Sequence, residues 1–282
     1  MAGAADEVLD DLRVEGEELD RLVAGASDEA WSAVTPAPGW SVAHQIAHLA
    51  WTDRRALLAV QDEAAFQRET EEALAALPPV AALDPRTPGW SFVDEGAAQG
   101  AAEPTPVLLS RWRAGRVELA RSLAALPREH RIAWYGPSMG AAGMATARLM
   151  ETWAHGEDVA AALGVRRGPT ARLRHVAWLG VRTRDFAYAV RGLDPPGEPF
   201  RVELAFAEPG GGDVVRSYGP EGAAQRVTGP ARDFCLLVTQ RVHRDDTALR
   251  AEGPDAEAWL DLAQAFAGPP GNGRAPQSGG AR

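Results

Sequence analysis

Two residue pairs, each four apart, constrain the fold of this chain more than anything else in it: His44-Gln-Ile-Ala-His48 and, far downstream, Glu151-Thr-Trp-Ala-His155. On an α-helix, positions i and i+4 lie one above the other on the same face, with Cβ atoms about 5–6 Å apart. Each pair therefore points two side chains of the metal-ligating kind in one direction. Two such helices set face to face would gather up to four donors. The architecture that does this is a helical bundle, whose metal sites form from facing inward side chains.

The surrounding pattern supplies the helices. Apolar residues at helical spacing, with acids at the start, predict a first helix over 5–24. Pro36-Ala37-Pro38-Gly39-Trp40 reads as a turn, and Ser41 as the N-cap of the helix that carries His44 and His48. Residues 62–106, broken by Pro78-Pro79, Asp84-Pro85 and Pro88-Gly89, read as one long irregular crossover. Two more helices are expected over 105–126 and 144–163, closed by Gly164 and Gly168-Pro169.

After Pro169 the texture changes. A helix over 171–190 precedes Phe200–Phe206, which alternates with the period of a strand. Gly210-Gly211-Gly212-Asp213 and Val214–Tyr218 suggest a hairpin; a strand near 225–228, a helix over 231–240, a strand near 248–251 and a helix over 255–266 follow. The expected fold class is α+β in two domains: a four-helix bundle over 1–168 and a small α+β domain over 169–268. Residues 269–282, rich in Gly, Pro and Ser, are expected to be a disordered tail.

Charge and cysteine narrow the function. The 282 residues carry a net charge of −10, which argues against a nucleic-acid surface. Cys235 is the single cysteine and lies in an apolar run, so a disulfide is excluded and a buried hydrophobe is expected. No stretch approaches the ~20 apolar residues of a membrane span, and the acidic N-terminus does not resemble a signal peptide. A cytoplasmic protein is expected, as monomer or homodimer.

Histidine with carboxylate favours Zn²⁺, or Fe²⁺, Ni²⁺ or Co²⁺, over Ca²⁺ and Mg²⁺. Two His and one Glu leave a coordination position open, as catalytic sites do. Gln45 after His44 breaks the His-Glu-x-x-His pattern of zinc peptidases. Taken singly, either pair can be a solvated helical pair; both together, on two bundle helices, favour metal. Asp158, three residues past His155, is a candidate to orient an imidazole. Trp40, Trp51 and Trp153 read as core or pocket wall, and Tyr135 and Ser138 as rim residues. Arg54, Arg55 and Arg148 are candidates for an acidic ligand, with solvated helix arginines as the plainer reading.

The run Gly39-Trp40-Ser41-Val42-Ala43-His44-Gln45-Ile46-Ala47-His48-Leu49, followed by Glu151-x-x-x-His155, resembles the DinB/YfiT-like superfamily, and most of all its mycothiol-dependent maleylpyruvate isomerase branch. The resemblance implies His48, Glu151 and His155 as the metal ligands, with His44 an outer or fourth partner. Gly229-Pro230-Ala231-Arg232-Asp233-Phe234, continuing to Thr239-Gln240-Arg241, is similar to an element of that branch's sterol-carrier-like second domain. It implies a functional role for Arg241; a helix C-terminal cation is the alternative. A further likeness is to an actinobacterial subgroup of metal-binding proteins that carries the label "wyosine base formation".

These readings together imply a metal-dependent isomerase or S-transferase. It would use a low-molecular-weight thiol, mycothiol, as cosubstrate and act on a small electrophilic, unsaturated metabolite. Arg241 would hold a carboxylate of thiol or substrate in a cleft between the domains. Two other classes stand beside it: a non-catalytic carrier with a structural metal, and a metal-assisted hydrolase.

Overall fold

The computed structural model describes residues 4–75, 91–208, 210–271 and 273–277. Its contacts divide the chain into two compact units, Met1–Arg167 and Gly168–Arg282. The first contains α1 (Ala4–Val23), the short α2 (Asp28–Ser32), α3 (Val42–Gln61), α4 (Glu63–Ala75), α5 (Ser91–Ala101), α6 (Thr105–Ala124) and α7 (Ala141–Ala162). The long helices α1, α3, α6 and α7 pack on one another, and α4 and α5 pack on α3. Leu19 and Val23 of α1, Ile46 and Leu49 of α3, Leu108 and Trp112 of α6 and Val159 of α7 share one buried cluster. Each large apolar side chain there contributes about 1.5–3 kcal/mol by leaving water, which holds α3 and α7 side by side.

Residues 62–106 are not the single irregular crossover that their prolines suggest. Glu63–Ala75 and Ser91–Ala101 are helical; the prolines at 78, 79, 85 and 88 lie outside the described residues. Glu63–Ala75 is built mostly from strong helix formers, and it anchors itself by burying Phe66. At the other end of the unit, α7 stops at Gly164, whose φ of +67° lets Val165 N–H reach the Ala160 carbonyl at 2.8 Å.

The second unit contains α8 (Leu173–Arg182), α9 (Arg184–Ala189), β1 (Phe200–Ala207), β2 (Asp213–Tyr218), β3 (Gln225–Pro230), α10 (Ala231–Val238), β4 (Arg250–Glu252) and α11 (Pro254–Leu262). The expected helix over 171–190 is two helices. Thr183 interrupts it, its hydroxyl bonding the Leu179 carbonyl and, at 2.8 Å, the Gln264 carbonyl.

The sheet runs β2-β1-β3-β4, with β1 and β3 parallel and both outer pairs antiparallel. Phe200, Val202, Leu204 and Phe206 of β1 are buried while the residues between them are not, the alternation of a strand covered on one face. Helices α8 and α10 pack against β1, and α11 against β3 and β4. Gly219, at φ +82°, turns the chain out of β2 so closely that a Cβ there would lie 1.9 Å from the Phe200 carbonyl oxygen. Of the expected tail, 269–271 and 273–277 carry no helix or strand, and Gln277 N–H donates to Asp246. Among the described residues, no helix is long and apolar enough to cross a membrane.

Candidate metal centre

A short hairpin before α3 sets up one side of the site. Gly39, at φ +77°, closes the turn, and Thr35 N–H and Oγ1 both donate to the Trp40 carbonyl, each at 2.8 Å. Ser41 then caps α3 in extended conformation, and His44 completes a capping box: its Nδ1 accepts from Ser41 N–H and lies 2.8 Å from Ser41 Oγ. His44 is therefore committed to the helix start and is not among the converging donors. Burial lowers its pKa, opposed by the charge of Asp94.

One turn on, His48 faces α7. Its Nε2 lies 3.3 Å from Glu151 Oε2, and His155 Nε2 lies 3.1 Å from the same oxygen. The two imidazoles have centroids 4.5 Å apart, and one donor atom from each of His48, Glu151 and His155 fits within 4.8 Å. Both histidines are buried and Glu151 is half-buried. Burial alone would raise the Glu151 carboxyl; when no cation is bound and the imidazoles are protonated, hydrogen bonds from His155 and His48 and their positive charge outweigh it and hold it well below the usual carboxylate range.

The protonation pattern can be followed from the outside in. Thr35 Oγ1 gives its proton to the Trp40 carbonyl, so it accepts from Gln45 Nε2 at 2.9 Å. That orients Gln45 Oε1 toward His155 Nδ1, 2.5 Å away. A carbonyl oxygen only accepts, so Nδ1 carries the hydrogen and a neutral His155 presents its Nε2 lone pair to Glu151. Two acceptors at that distance repel unless a cation or a proton lies between them. Tetrahedral coordination at about 2.0–2.1 Å sets neighbouring ligand atoms roughly 3.3–3.4 Å apart, close to both spacings here. The donor set fits a divalent ion, with His48, Glu151 and His155 to hold it.

Aromatic side chains wall the site. Trp40 stacks on His155 with centroids 5.9 Å apart and lies 5.2 Å from the His48 ring, while Trp51 stacks on His48. Trp153 is core. Trp40 Nε1 donates to Asp94 on α5 at 3.1 Å. Burial raises the Asp94 carboxyl; that hydrogen bond and the neighbouring His48 and His44 oppose it. His48 Nδ1 is buried without a hydrogen-bond partner.

Several expected roles move. The group that receives His155 Nδ1–H is Gln45, not Asp158, although Asp158 is itself buried on α7. Arg55 is buried and tied to Glu69 and to the Tyr135 hydroxyl, and Arg148 donates to Asp53 at 2.9 Å. Neither is a solvated helix arginine, whereas Arg54 is exposed. Tyr135 stacks on Trp51, and the Ser138 carbonyl accepts from Arg131. Cys235 is fully buried, its thiol pushed far up by burial, which leaves it inert. Arg241 follows α10 in the second unit. Gln240 takes φ +59° there, Arg241 N–H reaches the Leu236 carbonyl, and its Nη1 donates to the Thr239 carbonyl at 2.6 Å. Gln45, Thr35 and Asp94 carry no signal of their role in the sequence. Each becomes visible only through the partner it meets in space.

Comparison with known proteins bears on the family and the fold. The family model described as mycothiol maleylpyruvate isomerase N-terminal domain matches residues 12–160, and one described as wyosine base formation matches residues 196–252. Uncharacterized proteins from two strains of Mycobacterium tuberculosis are each 54% identical over 264 residues, 94% of this chain and 96% of theirs. Crystal structures of the mycothiol-dependent maleylpyruvate isomerase and of a histidine-to-alanine mutant of it share the α+β fold, at TM-scores of 0.55 and 0.56. Their identity to this chain is 16% and 15%, over 90% of this chain and 98% of theirs. With more than half its length matched by the first of those models, the chain belongs to the mycothiol maleylpyruvate isomerase N-terminal domain family, the isomerase-like branch of the DinB-like proteins.

Proposed function

We propose that this protein is a divalent-metal-dependent, mycothiol-using isomerase or S-transferase that acts on a small electrophilic, unsaturated metabolite. The observation that carries the reading is the spacing of three buried or half-buried donors, with His155 locked by Gln45 in the tautomer that ligates. His48, Glu151 and His155 would hold the ion, with zinc the best match to the donor set. A divalent ion with one open position supplies a thiol that is deprotonated, and so nucleophilic, at neutral pH. No protein cysteine is needed for that, in keeping with the burial of Cys235.

Addition of the thiol sulfur to an electron-poor double bond makes a carbon–sulfur bond and a single bond free to rotate. Loss of the same sulfur restores the double bond in the other geometry; retention, with a proton added at the neighbouring carbon, is S-transfer. The chain's own residues prepare the site for this. Trp40 and Trp51 cover the imidazoles and keep water from the donors, and Gln45 holds one ring in place. In the second unit, read as a sterol-carrier-like α+β domain, Arg241 is proposed to anchor a carboxylate of thiol or substrate.

The purified protein should hold about one divalent ion per chain, and His48→Ala, Glu151→Ala and His155→Ala should each lose it. Mycothiol added to cobalt-substituted protein should change the metal's absorption spectrum. Full metal content in all three variants sinks the site. An unchanged cobalt spectrum removes the thiol and leaves hydrolysis or carriage.

A further inference from the structure

A cavity of about 190 Å³ enters the first unit between α1 and α6. None of His48, Glu151 or His155 lines it, so it is distinct from the metal centre. Arg13, Glu17 and the exposed Val117 stand at its mouth; Trp112 and Leu119 wall it; Asp53 and Thr152, both buried, form its inner end. We propose that this cavity binds a small monocarboxylate with an apolar body, such as an aryl or short alkyl acid.

Size, hydrogen bonding and charge agree on that class. An apolar cavity of about 150 Å³ already accommodates benzene, so one ring with a short head fits here. Arg116 lines the cavity, and its Nε is buried without a partner. Asp53 holds the Arg148 guanidinium, whose Nη2 is also buried without a partner. The unmet group that lines the cavity, Arg116 Nε, is an N–H donor, so the complement is an acceptor. Of the charged residues that line the cavity, Arg13 pairs with Glu17, and Asp53 is held by Arg148 from outside the lining. Arg116 shares the single carboxylate of Asp20 with Arg113, so its charge is only half matched, which suits a monoanion.

The backbone is shaped for this arginine. Gly16 in the middle of α1 costs about 1 kcal/mol of helix propensity against alanine, yet a Cβ there would lie 2.8 Å from Arg116 Nη1. Its absence lets the guanidinium lie against α1 and over the Trp112 ring, 4.9 Å from the centroid.

The test uses full-length, metal-loaded protein with 4-fluorobenzoate as the probe, followed by fluorine NMR and calorimetry, and toluene as the headless control. The expected result is saturable one-to-one binding with Kd below about 1 mM, unchanged after the metal is chelated away. Ala120→Phe, which fills the cavity, should abolish binding of both probes. Arg116→Met should weaken fluorobenzoate about tenfold or more, the effect of one lost charge-assisted hydrogen bond, and leave toluene unchanged. Circular dichroism monitors folding, and if Ala120→Phe does not fold, the Arg116→Met comparison decides alone. No saturation at about 10 mM probe, binding lost with the metal, or equal affinity in Arg116→Met each overturns the proposal.

Discussion

Gln45 shows how one uncharged side chain can decide the chemistry of two others. Its amide donates to Thr35 and accepts from His155, so it converts the geometry of a hairpin into the tautomer of an imidazole 110 residues away. Outer partners of this kind alter metal affinity by about 10–100-fold in known sites. Gln45→Ala should lower affinity by that factor in a chelator competition while the three donors stay in place. An unchanged affinity would make Gln45 a polar core residue and nothing more. The two i,i+4 pairs were legible, because that spacing is a local property and His and Glu are chemically conspicuous; the choice of three donors among the four residues came from the family resemblance and not from spacing. Gln45 was legible only as the residue that breaks a peptidase pattern, because an amide has no charge to advertise and its partners are remote in sequence. His44, conspicuous for the same reason as His48, is occupied instead by the Ser41 cap.

At the scale of elements, the long helices could be read because cap, period and closing glycine agree, as Ser41 and Gly164 do for α3 and α7. The helices α4 and α5 were hidden by prolines that lie between them, and the break at Thr183 by a hydroxyl whose deciding contact is the distant Gln264 carbonyl. Helix-to-helix ties are likewise invisible in sequence. Asp20 of α1 receives Arg113, at 2.5 Å and 2.8 Å, and Arg116, at 2.7 Å, from α6. Hydrogen bonds from Arg113 are the largest influence on its carboxyl; with both positive charges they outweigh burial and lower its pKa below the ordinary 3.8. A lowered folded value means the stabilisation is complete above the unfolded pKa and is lost as pH falls through the folded one. Asp20→Asn should therefore cost about 0.5–1 kcal/mol near neutral pH, with the cost lost as pH falls below 3.8 and through the lower folded value. Urea unfolding at several pH values measures it; a cost that ignores pH would assign the loss to packing.

For the whole molecule, the division between units runs just after a residue that belongs firmly to the first. The run Arg166-Arg167-Gly168-Pro169 reads as an exit from the last bundle helix, yet the Arg167 side chain is buried against Glu15, Glu18 and Glu157 and donates to the Trp153 carbonyl at 3.2 Å. Glu15 is fully buried, and that guanidinium is one of the groups that meet its carboxylate. Burial works against the Arg167 charge, but Glu15 foremost, then Glu157 and Glu18, raise its pKa above the ordinary value. All three metal-directed donors, Gln45 and the tryptophan wall also lie within the first unit. A fragment of residues 1–167 should therefore fold and hold the proposed ion with the stoichiometry of the full chain. A fragment ending at residue 164 lacks Arg167 and takes that guanidinium from a buried carboxylate, a loss of up to about 3–5 kcal/mol. Arg167→Ala in the full chain should show the same loss. Thermal unfolding and metal analysis of the two fragments, beside that variant, make the comparison. Equal stability of both fragments would mean that Glu15 finds another partner or a proton. A metal-free but folded 1–167 fragment would mean that the centre needs the second unit.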